Sequence, residues 1–135
     1  MLNADGALIR VLIVDDHPLM RKGLTDILSG AEGIEVVGAA EDGAAAVALA
    51  YAVKPDIVLM DISMPGMDGI EATEKLVEMD LQARVVVLTS YSEREKITQA
   101  LAAGAVSYLT KDAPPDAVIR AIRAAASARE SRPAD

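Results

Sequence analysis

Val11-Leu12-Ile13-Val14-Asp15-Asp16 is an unbroken apolar run that ends on two acids. Two more runs match it, Ile57-Val58-Leu59-Met60 before Asp61 and Val85-Val86-Val87-Leu88 before Thr89. Four β-branched or aliphatic residues without alternation read as a parallel strand covered by helices on both faces. Ile34-Glu35-Val36-Val37 and Val106-Ser107-Tyr108-Leu109 are more polar, as edge strands are.

Helical patterns fill the gaps. They cover 18–29 (Met20, Leu24, Ile27 and Leu28 on one face), the Ala-rich stretch 44–53, 69–79 (Ile70, Thr73, Leu76, Val77), 93–103 (Ile97, Ala100, Leu101) and 115–128 (Val118, Ile119, Ile122, Ala126). Pro18 suits a first helical turn, and Gly104 a C-terminal cap. Strand and helix alternate five times, which predicts an α/β fold, a doubly wound (βα)5 parallel sheet with right-handed crossovers. Order 2-1-3-4-5 puts both polar strands at the edges, as in the flavodoxin-like fold. Residues 1–8 read as an N-terminal extension, 9–126 as the domain, and 127–135, rich in Ser, Ala, Arg and Pro, as a linker or disordered tail. Arg120 and Arg123 read as part of a solvated helix face.

Composition narrows the function. The chain has 135 residues, one domain's worth, and 52% are hydrophobic. That apolar bulk excludes a disordered chain. A formal net charge of −8 disfavours non-specific nucleic-acid binding, and three tyrosines with no Phe or Trp leave little to stack bases on. Cysteine is absent, so disulfides, thiolate metal sites and cysteine nucleophiles are excluded. No apolar run approaches the ~18 residues of a membrane span, and no signal pattern opens the chain. The expectation is a soluble cytoplasmic domain with no membrane partner.

Open parallel sheets bind ligands beyond the carboxyl ends of their strands, at the switch in strand order. Here that switch lies between strands 1 and 3, so Asp15, Asp16 and Asp61 converge in one crevice. Three carboxylates would repel, and at least one would resist ionisation without a cation. Mg²⁺, a hard ion served by a few carboxylates and water, fits such a crevice. Thr89 ends strand 4 and Lys111 follows strand 5, adding a hydroxyl and an ammonium. Carboxylates, a metal, a hydroxyl and a lysine at one point indicate phosphoryl chemistry, with a carboxylate attacking in line. His17, the only histidine, reads as a solvated first-turn residue, and Met64 and Met67 as loop packing.

These motifs, in this order, carry a resemblance. Asp15-Asp16, Asp61 within Asp-Ile-Ser-Met-Pro-Gly-Met-Asp-Gly, Thr89-Ser90 and Tyr108-Leu109-Thr110-Lys111 resemble the receiver domain of two-component response regulators over residues 9–126. Asp-Asp-His-Pro-Leu-Met-Arg and Ala-Gly-Ala-Val-Ser-Tyr-Leu-Thr-Lys-Asp-Ala are similar to its NarL/FixJ (LuxR-type) subfamily. The resemblance implies that Asp61 accepts the phosphoryl group from a sensor histidine kinase. It implies that Asp16, Asp61 and the Ser63 carbonyl ligate Mg²⁺, with Asp15 acting through metal-bound water. It further implies that Lys111 pairs with Asp61 and then with the phosphoryl group, that Thr89 and Tyr108 form a switch, and that Ser63 and Tyr91 tune hydrolysis. In place of the family's frequent Lys-Pro with a cis bond, Asp112 follows Lys111; a cis bond without proline costs about 2.5–4 kcal/mol.

Such a domain is not a conventional enzyme but catalyses its own phosphorylation and slow dephosphorylation. Its output is expected to be self-association, as a homodimer on phosphorylation, and transcription through a helix-turn-helix DNA-binding domain absent from this chain. A helix 1/helix 5 interface near Arg120 and Arg123 is favoured over helix 4/strand 5/helix 5. A stand-alone receiver or phosphorelay shuttle is the alternative. An aspartate-nucleophile phosphatase would need a second Asp where Ser63 stands. A flavin binder would need a hydroxyl-rich loop where Asp15-Asp16 stands, and a scaffold that is never phosphorylated would not need the full set.

Overall fold

Each apolar run forms a strand, and each amphipathic stretch a helix laid across the sheet. In this computed structural model, residues 8–131 are described, with the side chains of 8–127. The elements are β1 (Ile9–Val14), α1 (Pro18–Ser29), β2 (Ile34–Ala40), α2 (Gly43–Val53), β3 (Ile57–Asp61), α3 (Gly69–Glu78), β4 (Arg84–Thr89), a 3-10 helix (Tyr91–Lys96), α4 (Ile97–Ala103), β5 (Ser107–Thr110) and α5 (Pro115–Ser131). The five strands pair in parallel in the order β2-β1-β3-β4-β5, as the polar edge strands predict.

The sheet separates two cores. Strand side chains alternate between its faces. Leu12, Val14, Val58, Met60, Val85 and Val87 face α2, α3 and α4, with Ala46, Ala50, Ala72, Leu76 and Ala100. Val11, Ile13, Ile57, Leu59, Val86 and Leu88 face α1 and α5, with Leu24, Leu28, Val118 and Ile122. Both faces of the central strands are therefore dry, which is why their sequences do not alternate. The β1–β2 register slips between Val11 and Leu12, where Val36 and then Gly38 are the partners. A Cβ on Gly38 would come 3.0 Å from Leu49 of α2, so the small residue lets helix and strand approach.

Several boundaries differ from the sequence reading. The expected helix over 93–103 begins as a 3-10 helix at Tyr91, because Ser90 and Glu93 form a reciprocal capping box that tightens the first turn. Leu101 and Val77, placed on core faces by periodicity, are exposed. Helix α4 has only seven residues, and the sole side chain it buries is Ala100. Helix α5 extends to Ser131, into the stretch whose composition predicts a linker, because 124–128 consists mostly of alanine, the strongest helix former. Residues 1–7 of the expected extension and 132–135 of the expected tail lie outside the described residues. Among the described residues no helix is long and apolar enough to cross a membrane.

Candidate functional site

The carboxyl ends of β1, β3, β4 and β5 finish level with one another. The Asp15 N–H donates to the Ala40 carbonyl (3.1 Å), that of Ile62 to Leu88 (2.9 Å) and that of Lys111 to Thr89 (2.9 Å). The sheet ladder thus runs one residue past the strands and fixes the residues just beyond them. Asp61 is the last residue of β3, and its side chain is fully buried. Asp15, also fully buried, follows β1, and Asp16 is partly exposed beside it.

Lys111 reaches Asp61 from beyond β5. Its Nζ lies 3.0 Å from Asp61 Oδ1, the oxygen that also accepts the Ser63 N–H at 3.2 Å. Burial pushes the Asp61 carboxyl from 3.8 up to about 6; the Lys111 hydrogen bond opposes this, and the charge of Asp15 adds to it. Burial alone would lower Lys111, but Asp61, Asp15 and Glu93 together raise it above its ordinary value. The Lys111–Asp112 peptide is trans.

The acidic end of the crevice is under-satisfied. Asp15 Oδ2, Asp16 Oδ1 and Asp61 Oδ2 are buried without a hydrogen-bond partner. Buried charged oxygens are rarely left this way. Asp15, Asp16, His17 and Asp61 each offer one ligand atom, and these atoms all lie within 4.8 Å of one another. The carboxylate oxygens are hard donors suited to a divalent cation. His17 stands at the N-cap of α1, largely exposed. Its N–H donates to Asp15 Oδ1 (2.8 Å), and its Nδ1 lies 3.2 Å from both Asp15 Oδ1 and Asp16 Oδ1, off hydrogen-bonding geometry with the latter.

Thr89 is buried at the end of β4, and its hydroxyl donates to the Ser90 carbonyl at 3.1 Å. Tyr108 on edge strand β5 is half exposed. Tyr91 projects into solvent, and the Arg94 guanidinium lies 5.3 Å from its ring centroid. Met64 is buried and Met67 packs against the same core, so both serve the loop.

Three contacts escape sequence reasoning. Arg21 of α1 donates to the Asp15 carbonyl (2.6 Å) and clamps the acidic turn. Lys96 Nζ donates to Ser63 Oγ (3.0 Å). Glu93 accepts from the Ser90 N–H (3.2 Å) and hydroxyl (3.0 Å). Burial would raise the Glu93 carboxyl, but hydrogen bonds from Ser63 and Ser90 and the charge of Lys111 hold it below its ordinary value. Glycine shapes the loop between Asp61 and α3. A Cβ at Gly69 would overlap the Asp61 carbonyl oxygen, and one at Gly43 would overlap that of Met67.

The model of one protein family, described as the response regulator receiver domain, matches residues 11–123. Among curated proteins, the chain is 46% identical over 116 residues to response regulator GacA of Pseudomonas aeruginosa, covering 86% of this chain and 54% of that protein. It is 44% identical over 118 residues to the transcriptional regulatory protein LiaR of Bacillus subtilis (87% and 56%). It is 40% identical over 117 residues to the nitrate/nitrite response regulator NarL of Escherichia coli (87% and 54%). The chain therefore spans about half the length of the curated relatives it matches. Among solved structures, the signal receiver domain of a NarL response regulator from Mycobacterium tuberculosis superposes with a TM-score of 0.85 at 36% identity, covering 93% of this chain and 99% of that one. A LuxR-family response regulator from Aurantimonas does so with the same score and identity (91% and 88%).

Proposed function

Since the chain belongs to the receiver-domain family of two-component response regulators, we propose that Asp61 accepts a phosphoryl group from the phosphohistidine of a sensor histidine kinase. The carrying observation is the buried Asp61 carboxylate, one oxygen held at 3.0 Å by Lys111 and the other partnerless beside the partnerless oxygens of Asp15 and Asp16. An Asp61 oxygen attacks phosphorus in line as the phosphorus–imidazole bond breaks, and the leaving nitrogen takes a proton from solvent. Lys111 holds Asp61 in place and then faces the new phosphoryl oxygens. Asp16, Asp61 and the Ser63 carbonyl would hold Mg²⁺, with Asp15 acting through its bound water. Bound there, Mg²⁺ supplies positive charge against the phosphoryl oxygens and relieves carboxylate repulsion.

Thr89 then turns its hydroxyl from the Ser90 carbonyl to the phosphoryl group, and Tyr108 rotates into the space behind it. Ser63 and Tyr91 flank the path of hydrolytic water and set the lifetime. The output is self-association that drives transcription through a helix-turn-helix domain outside this chain; the relative LiaR, named a transcriptional regulatory protein, supports a transcriptional output. Acetyl phosphate with Mg²⁺ should add one phosphoryl mass to the wild type and none to Asp61→Asn. Labelling of that variant, or labelling in excess chelator, would overturn the assignment.

A further inference from the structure

The 3-10 helix Tyr91–Lys96 is tied to the acceptor loop by a contact spanning 33 positions of sequence, Lys96 Nζ to Ser63 Oγ at 3.0 Å. The Ser63 N–H is itself committed to Asp61 Oδ1, which ties this loop to the acceptor. The Ser63 hydroxyl accepts from the Lys96 ammonium. Glu93 is in turn anchored to Ser90, the residue after Thr89. The Lys96–Ser63 and Glu93–Ser90 contacts therefore make the 3-10 segment a polar strap between the acceptor loop and the end of β4. No buried side chain holds this segment down. The Lys96–Ser63 hydrogen bond ties it to the loop after β3.

Resting on the phosphoacceptor reading above, we infer that Lys96 is a positioning residue that lengthens the life of the aspartyl phosphate, by latching the 3-10 segment onto Ser63 and closing the in-line path to water. Hydrolysis adds a water oxygen to phosphorus as the Asp61 oxygen–phosphorus bond breaks. The carboxylate is regenerated, and the water protons leave on the phosphate and into solvent. A hydroxyl already engaged by Lys96 is a poor guide for that water, and a closed strap leaves the water little room. Lys96 touches neither the phosphoryl group nor Asp61; it acts through Ser63.

The protein is phosphorylated with acetyl phosphate and Mg²⁺, desalted, and followed by loss of phosphoryl mass. Lys96→Met should shorten the half-life about fivefold, and Lys96→Arg, which keeps a donor, should restore it to within about twofold. Ser63→Ala should shorten it to the same extent, and the double variant no further than either single one. Amide exchange of residues 91–96 in the unphosphorylated protein should speed up in Lys96→Met, with an unchanged melting temperature. A half-life for Lys96→Met within 1.5-fold of wild type overturns the inference, as does unchanged exchange at 91–96. Multiplicative effects in the double variant also overturn it, because the two side chains would then act separately. If the wild type gains no phosphoryl mass at all, the acceptor assignment itself fails, whatever the exchange data show.

Discussion

Lys111 meets Asp61 across an intervening strand. Asp61 closes β3, Lys111 follows β5, and β4 lies between them, its Thr89 carbonyl holding the Lys111 N–H at 2.9 Å. The side chain spans this gap to place Nζ 3.0 Å from Oδ1. The ammonium only partly offsets the burial that raises Asp61 to about 6, so the unphosphorylated, metal-free domain carries a costly ion at neutral pH.

That cost has a sign and a pH window. A carboxyl raised from 3.8 to about 6 binds more protons in the folded than in the unfolded state across that interval. Its contribution is fully present below 3.8 and is lost as pH rises through 6. Asp61→Asn in chelator should therefore be more stable than wild type at pH 7, by about 1–3 kcal/mol, with the lost Lys111 pairing reducing the gain. The gain should shrink toward zero at pH 4. Denaturant melts of both proteins at the two pH values decide it, and a gain undiminished at pH 4 would contradict it.

Lys111→Met removes the neutralising partner and leaves a buried carboxylate beside Asp15. Loss of one partner of a buried pair costs more than the pair contributes. Labelling by acetyl phosphate should slow by at least tenfold at pH 6, where Asp61 is then largely protonated, and recover partly at pH 8. A rate equal to wild type at both pH values would show that Lys111 plays no part.

Three partnerless carboxylate oxygens predict a strong response to a divalent cation. Mg²⁺ at about 100 times its dissociation constant should add about 2.7 kcal/mol of stability, about 10 °C of melting temperature for a domain of this size. Sodium chloride at matched ionic strength should not reproduce it, and Asp16→Asn should lose most of it. Equal shifts from both salts would mean general screening.

Gly69→Ala drives a methyl group into the Asp61 carbonyl. Backbone cannot yield as a flexible side chain can, so the loop must move at a cost of about 1–3 kcal/mol. The labelling rate should fall along with stability, because the Ile62–Gly69 hydrogen bond (3.1 Å) closes that loop. Calorimetry showing no loss would mean that the loop is softer than the glycine contact implies.

Beryllofluoride with Mg²⁺ should change the environment of Tyr108, now half exposed, and Thr89→Ala should abolish that change. Tyrosine-selective NMR reads the ring directly. An identical spectrum with and without the mimic would remove the coupling between these residues.

Much of the site was legible because its residues sit at strand ends, where the end of an apolar run gives the position without knowledge of the packing. Asp15, Asp16, Asp61, Thr89 and Lys111 all obey this rule. Topology was legible because Glu35 and Ser107 interrupt the two edge strands. The Lys96–Ser63 and Arg21–Asp15 contacts were not, since each depends on the path of a turn and the reach of a long side chain. Leu101 was misplaced for a different reason: over a seven-residue helix the apolar phase is poorly defined, and of the expected face Ile97, Ala100 and Leu101 only Ala100 is buried.

The division of the interior by the sheet has a mechanical outcome. On the α1/α5 side the helices insert Leu24, Leu28, Val118 and Ile122, branched side chains that interlock with the strands. On the other side the fully buried helix residues are mostly alanines, with larger side chains such as Leu49 and Ile70 only partly buried, and α4 buries a single methyl group. Smooth surfaces slide where toothed ones lock. Native-state amide exchange should therefore find α4 opening at far lower free energy than α1, making one half of the domain a rigid chassis and the other its moving part.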